Sequence, residues 1–174
     1  MNEDLDYIRN VRRFIDDLPS ETFAKPRKLP PEEAYTDDII PFDLYKNTRQ
    51  NIEKIGDQIN KSFYYGIYDA AAVLMRRLVE MLLILAFQAS NEEPKILGVN
   101  GNYLQLSQII NEAVQNKILA LSRNAKSYLG LFKEKGDLSA HNPFHITLKK
   151  DLELLQPKFR HLVQELLYKA GIPK

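Results

Sequence analysis

The stretch "KEKGDLSAHN", residues 133 to 142, sets Lys133, Lys135, Asp137 and His141 close together along the chain. An imidazole titrates near neutrality and suits proton transfer, an ammonium supplies positive charge to a reacting anion, and a carboxylate can hold an imidazole in one orientation. On those grounds His141, Lys135 and Asp137 are the candidate catalytic residues, with Asn142 beside them as a candidate binding residue. The same residues equally describe a helix end, in which His141 bonds Asp137 or a free carbonyl and Lys135 is simply solvated.

Other chemistries find no footing. The chain has no cysteine, so a thiolate nucleophile, a disulfide and Cys-ligated zinc are all excluded. His141 and His145 stand at a spacing that suits a zinc pair on a helix, but Pro143 between them disfavours a regular turn, and no metal site is expected. There is no GxSxG nucleophile, P-loop or dinucleotide fingerprint, and no cofactor is expected. His145 reads as a loop stabiliser, and His161 as a surface or interface residue.

At 174 residues the chain is long enough for one domain with a real core. Its 24 Lys and Arg against 23 Asp and Glu leave a formal charge of +1, so no overall field draws it to nucleic acid or to an anionic membrane. Any anion site must be local. The opening "MNEDLDYIRN" lacks the basic start and apolar run of a secretory signal. The longest apolar run, "LVEMLLILAF", contains Glu80 and falls short of the roughly twenty residues a membrane span needs. A cytoplasmic protein without membrane association is expected.

The elements that must position these residues are helical. Leu5, Ile8, Val11, Phe14, Ile15 and Leu18 predict a short amphipathic helix over 3–18, and Pro19, Pro26, Pro30, Pro31 and Pro41 predict an extended arm after it. Residues 1–41 thus form an N-terminal helix and proline-rich arm, and 42–174 a helical bundle. Periodicity predicts helices over about 42–62, with Ile52, Ile55 and Ile59 as its stripe, 65–90, 103–116 with Asn102 as N-cap, and from Ser122 to a left-handed stop at Gly136. A last helix over 148–169 carries Leu148, Leu152, Leu155, Phe159, Leu162 and Leu166 and is kinked at Pro157. No strand pair is credible, so the class is all-α.

In the long helix "YDAAAVLMRRLVEMLLILAF", a wheel puts Ala70, Val73, Leu74, Met81 and Ile84 on one side with Arg77 at the centre. An arginine facing a bundle interior needs an acceptor, because an unpaired buried charge costs several kcal/mol. Arg77 therefore bonds Glu80 or a helix-end carbonyl, or it points at a polar cluster with Asp137 or His141. Arg76 falls off the stripe and is expected on the solvated flank, paired with Glu80.

"YDAAAVLMRRLVEMLL", then "LSQIINEAV" after a Gly/Asn-containing loop, then "GDLSAHN" resembles a bacterial branch of the HEPN superfamily, in which an "AAxxLRRxxE" helix precedes a "GNxxAH" segment. The likeness covers about residues 45 to 168 in order and spacing. It implies an up-and-down bundle that dimerises, in a nucleic-acid-linked or phage-defence setting, with RNA or another protein as partner. Catalytic members carry an arginine shortly before the histidine, and the pairs from two subunits meet in a cleft that cleaves RNA without metal. Carried over, the histidine is His141 and the Gly-Asn step is Gly136-Asp137. The arginine is missing, and Lys135 is the nearest cation. Lysine lacks the planar fork that grips two phosphate oxygens. The resemblance thus implies a metal-independent RNase with a degenerate motif, or else a non-catalytic dimerisation and protein-interaction module. In the first case His141 transfers protons, Lys135 supplies charge, Asp137 orients the imidazole, and Arg77 with Glu80 stands behind them.

Overall fold

The computed structural model describes residues 38–172. The expected helix over 3–18 and most of the proline-rich arm lie outside them. Within the compact unit Tyr35–Lys174, the described residues form six α-helices: α1 Phe42–Tyr45, α2 Gln50–Tyr64, α3 Tyr68–Ala89, α4 Leu106–Gln115, α5 Arg123–His141 and α6 Lys149–Lys169. A single turn of 3-10 helix, Glu93–Ile96, follows α3. No strand occurs among the described residues beyond one isolated bridge, Leu97 to Tyr103, that closes a loop. The all-α class is as expected, and no described helix is long and apolar enough to cross a membrane.

The helix expected over 42–62 is broken into α1 and α2 by Asn47, which sits at φ 59°. Asparagine tolerates the left-handed region, and here its N–H donates to Glu53 Oε1 at 2.6 Å. The predicted stripe of Ile52, Ile55 and Ile59 is buried, together with Gly56, Asn60 and Phe63. Gly56 is glycine for space, since a β-carbon there would lie 2.6 Å from the Tyr45 ring. Asn60 ties down the chain entering α1: its Oδ1 accepts from Ile40 N–H at 3.1 Å and its Nδ2 donates to Ile40 C=O at 2.8 Å. Arg160 Nε, from α6, donates to Ile39 C=O at 3.1 Å. Ile39 and Ile40 are fully buried in the core.

Contacts at the helix ends fix the directions. Ser122 at the start of α5 bonds Glu165 near the end of α6, so α5 and α6 run antiparallel. Asp69 meets Thr147 just ahead of α6, while Gly171 just past α6 lies beside Ala89, so α3 and α6 run the same way. Asn51 and Ile55 of α2 share a groove with Ile84 and Gln88 of α3, which makes that pair antiparallel too. α3 is the central element and packs on α2, α4, α5 and α6.

That position overturns the expected face of α3. Its buried residues are Ala71, Ala72, Met75, Leu78, Val79, Leu82, Leu83, Leu85, Ala86 and Phe87. Ala70, Val73, Leu74, Met81 and Ile84 are only half-buried, and Arg77 is exposed. A helix apolar on nearly every side offers more than one plausible stripe, and its neighbours decide which is core. Three smaller corrections follow. The N-cap of α4 is Gln105, whose N–H donates to Gln108 Oε1 at 3.2 Å, rather than Asn102. Helix α5 does not stop at Gly136 but runs to His141. Leu148 lies exposed at the N-cap of α6, ahead of the buried seam of Leu152, Phe159, Leu162 and Leu166. Pro157 is accommodated inside one helix, and Ser122 caps α5 as expected, accepting from Ala125 N–H at 3.1 Å.

Candidate functional site

Because α5 continues through Gly136, its 3.6-residue period decides which side chains meet. Positions 133, 137 and 141 share one face, and 135 and 139 another. Gly136 itself is pressed against α3: a β-carbon there would stand 2.4 Å from the Cβ of Arg76. This close approach brings Arg76, expected in solvent, into contact with α5.

The first face opens on a groove of about 870 Å³ between α3 and α5, whose lining includes Arg76, Glu80, Lys133, Glu134, Asp137, His141 and Asn142. Asp137 is its hub. Arg76 Nε lies 2.6 Å from Asp137 Oδ1, and Lys133 Nζ lies 2.5 Å from Oδ2. The Arg76 Nε is closed off from water with its N–H out of line for a hydrogen bond, so charge and packing hold that contact. Arg76 Nη1 stands 3.6 Å from Glu80, a looser pair and the one expected from spacing. Burial pushes the Asp137 carboxyl up, but the Lys133 ammonium and the Arg76 guanidinium outweigh it and hold the carboxyl below the usual range.

His141, at the end of α5, is exposed, and no hydrogen bond or ion pair reaches its imidazole among the described residues. The expected orientation of His141 by Asp137 is therefore not made. Asn142 caps the helix and bends the chain: its N–H donates to Leu138 C=O at 3.1 Å and its Oδ1 accepts from Phe144 N–H at 3.0 Å.

Lys135 points the other way. Its Nζ donates to Asp151 Oδ2 at 2.9 Å and lies 3.4 Å from His145 Nε2. Around that pair, Ser139 Oγ and Thr147 Oγ1 are 2.7 Å apart, and Thr147 N–H donates to Asp69 Oδ1 at 2.9 Å. The Lys135 hydrogen bond lowers the Asp151 carboxyl, and the Thr147 hydroxyl lowers that of Asp69. This second cluster fastens the segment after α5 to the first turns of α3 and α6. Its one visible sequence signal is Asp151 three residues after Leu148, where its carboxylate accepts the Leu148 N–H at 3.2 Å.

The candidate residues thus divide. Asp137, His141, Asn142 and Glu80 share the α3–α5 groove, joined by Arg76 and Lys133. Lys135 belongs to the Asp151 cluster. Arg77 lines a second groove of about 330 Å³ with Asn51, Ile55 and Gln88, and Glu80 borders both grooves. Sequence reasoning missed Arg76 because it chose the wrong face of α3. No family model matches the chain, and no curated protein or solved structure matches it either.

Proposed function

We propose that this chain is a HEPN-like helical module of a nucleic-acid-linked or phage-defence system, which self-associates and binds a protein partner rather than cutting RNA. The observation that carries this reading is that the cations beside His141 are already taken. Arg76 and Lys133 both sit on Asp137, and Lys135 is turned to Asp151. Cleavage beside a ribose 2′-hydroxyl needs a base, an acid for the leaving oxygen, and positive charge free to meet the phosphate. A phosphate entering this groove has to displace Asp137 and pass Glu80 and Glu134 as well. Mixed charge of this kind suits a peptide surface carrying both signs better than a polyanion.

A second reading is favoured by one observation. His141 is exposed and shares its groove with Arg76, whose guanidinium has the planar fork that Lys135 lacks. In that reading Arg76 takes the charge role and the Asp137 pair opens on substrate binding. One experiment separates the two: mixed single-stranded RNAs are incubated with the full chain in chelator, and the products are run on a gel. The binding reading expects intact RNA. Cleavage by the wild type that is lost in both His141→Ala and Arg76→Ala establishes the RNase and overturns the binding reading.

A further inference from the structure

We infer that Asn100, at the tip of the loop between the 3-10 turn and α4, is a site of self-modification, where the side-chain amide closes on the Gly101 nitrogen and reopens as aspartate or isoaspartate. The inference is independent of how the α3–α5 groove is used. Asn100-Gly101 is the one Asn-Gly step in the chain. Asparagine is among the thermolabile residues, and a following glycine has no β-carbon to shield its nitrogen from the amide. In the first step the Gly101 N–H gives its proton to hydroxide, the nitrogen bonds to Asn100 Cγ, and the Cγ–Nδ2 bond breaks. The leaving nitrogen takes a proton from water and departs as ammonia, which regenerates hydroxide and leaves a five-membered succinimide. Water then adds to one of the two ring carbonyls. Opening at Cγ restores the ordinary backbone as aspartate, while opening at the backbone carbonyl leaves the chain running through the side chain as isoaspartate. Water is the only co-reactant, and either product adds one negative charge, taking the formal net charge from +1 to zero.

Three features of the loop present Asn100 for this reaction. The first is access, since Val99, Asn100, Gly101 and Asn102 are all exposed and open to hydroxide and water. The second is orientation. Asn100 Oδ1 accepts from the Asn102 N–H at 3.1 Å. A side chain bonded to the N–H two residues on is folded back over the intervening nitrogen, here that of Gly101, and the same bond draws electron density from Cγ. The third is ease of opening. The Gly101 N–H donates to Gly98 C=O at 2.9 Å, in a turn at the solvent end of the loop that can open without disturbing the core and so release the proton.

The product loosens the loop, because isoaspartate places an extra methylene in the backbone between residues 100 and 101. The loop is closed by Gly98 N–H on Asn102 C=O at 2.8 Å, by Leu104 N–H on Ile96 C=O at 2.9 Å, and by the bridge from Leu97 to Tyr103. The Tyr103 hydroxyl anchors it further, 2.5 Å from Glu93 Oε1 and 2.9 Å from Gln88 Nε2. An added chain atom inside this ring shifts the register across it, and the Gly98–Asn102 bond beside the insertion is the first to fail. Gln105, which caps α4 and lines the α3–α5 groove, is two residues beyond Tyr103.

The test ages the full chain at mildly alkaline pH, folded in buffer and unfolded in guanidinium chloride in parallel. Peptides are then read by mass spectrometry with electron-transfer fragmentation, which tells isoaspartate from aspartate. In the folded protein Asn100 is expected to convert well ahead of Asn102, its neighbour in the same loop, and faster as pH rises. Gly101→Ala is expected to lose most of the conversion in the folded and the unfolded chain alike, although its β-carbon meets nothing within 4 Å in the fold. Hydrogen exchange at the Asn102 and Leu104 amides should be faster in aged than in fresh protein. An Asn100 that keeps its amide in the folded chain while the unfolded chain converts is protected by the loop, and overturns the inference. Equal conversion in Gly101→Ala and wild type removes cyclisation on Gly101 and overturns it as well. Unchanged hydrogen exchange in protein converted at Asn100 overturns the loosening of the loop.

Discussion

Helix α5 contains two glycines that the packing treats in opposite ways, and the same substitution at each gives a signed test of the site's geometry. At Gly130 an added β-carbon meets nothing within 4 Å. Gly130→Ala should therefore show the bare helix-propensity gain, about 0.5–1 kcal/mol, or roughly 1–4 °C in melting temperature for a chain of this length. At Gly136 the same atom lands 2.4 Å from Arg76 Cβ and 2.7 Å from its Cδ. The Cδ can swing away, but the Cβ is fixed to the α3 backbone, so the helices must separate by about 1 Å to restore a normal carbon contact. Overpacking of this kind costs about 1–3 kcal/mol, and strain on the half-exposed Arg76–Asp137 pair adds at most about 1 kcal/mol. Against the propensity gain, Gly136→Ala should come out destabilised by about 1–2 kcal/mol, a fall of several degrees. Thermal and urea unfolding of the two variants side by side measures both. If both substitutions raise the melting temperature equally, α5 does not approach α3 at Gly136, and the grouping of Arg76 with Asp137 fails with it.

Two more expectations concern polar contacts. Asn60→Ala leaves the fully buried N–H and C=O of Ile40 without their partners and should cost about 2–4 kcal/mol, read as a lower urea midpoint at unchanged slope; a loss under about 0.5 kcal/mol refutes the role given to Asn60. Asp69, Asp137 and Asp151 all have carboxyls held below their ordinary value in the fold. The stability they add is fully present above the unfolded carboxylate range, near about pH 4, and is lost as pH falls through their lower folded values. Melting temperature should be flat above about pH 5 and fall steeply below about pH 4, with a shallower fall in Asp137→Asn; equal slopes for wild type and variant contradict the ion-pair assignment.

What could be read from the chain and what could not differ for a physical reason. The α6 seam, the isoleucine stripe of α2 and the Ser122 cap are local patterns, each settled within two or three turns by period and by one hydrogen bond. The face of α3 is not local, because nearly every position there is apolar and the choice between Arg76 and Arg77 for the interior lies with the helices around it. Gly136 is the decisive case. Glycine after an apolar stretch fits both a left-handed stop and a spacer where two helices touch, and only the neighbour distinguishes them. A stop there would turn the chain and could let Lys135, Asp137 and His141 converge. A continuing helix sets positions 135 and 137 about 200° apart around its axis, which sends Lys135 to Asp151 and leaves Asp137 with Arg76. The division of the candidate site into two clusters thus follows from the helix running on through position 136, and the missing β-carbon there admits the arginine beside Asp137, on which the chemistry open to His141 depends.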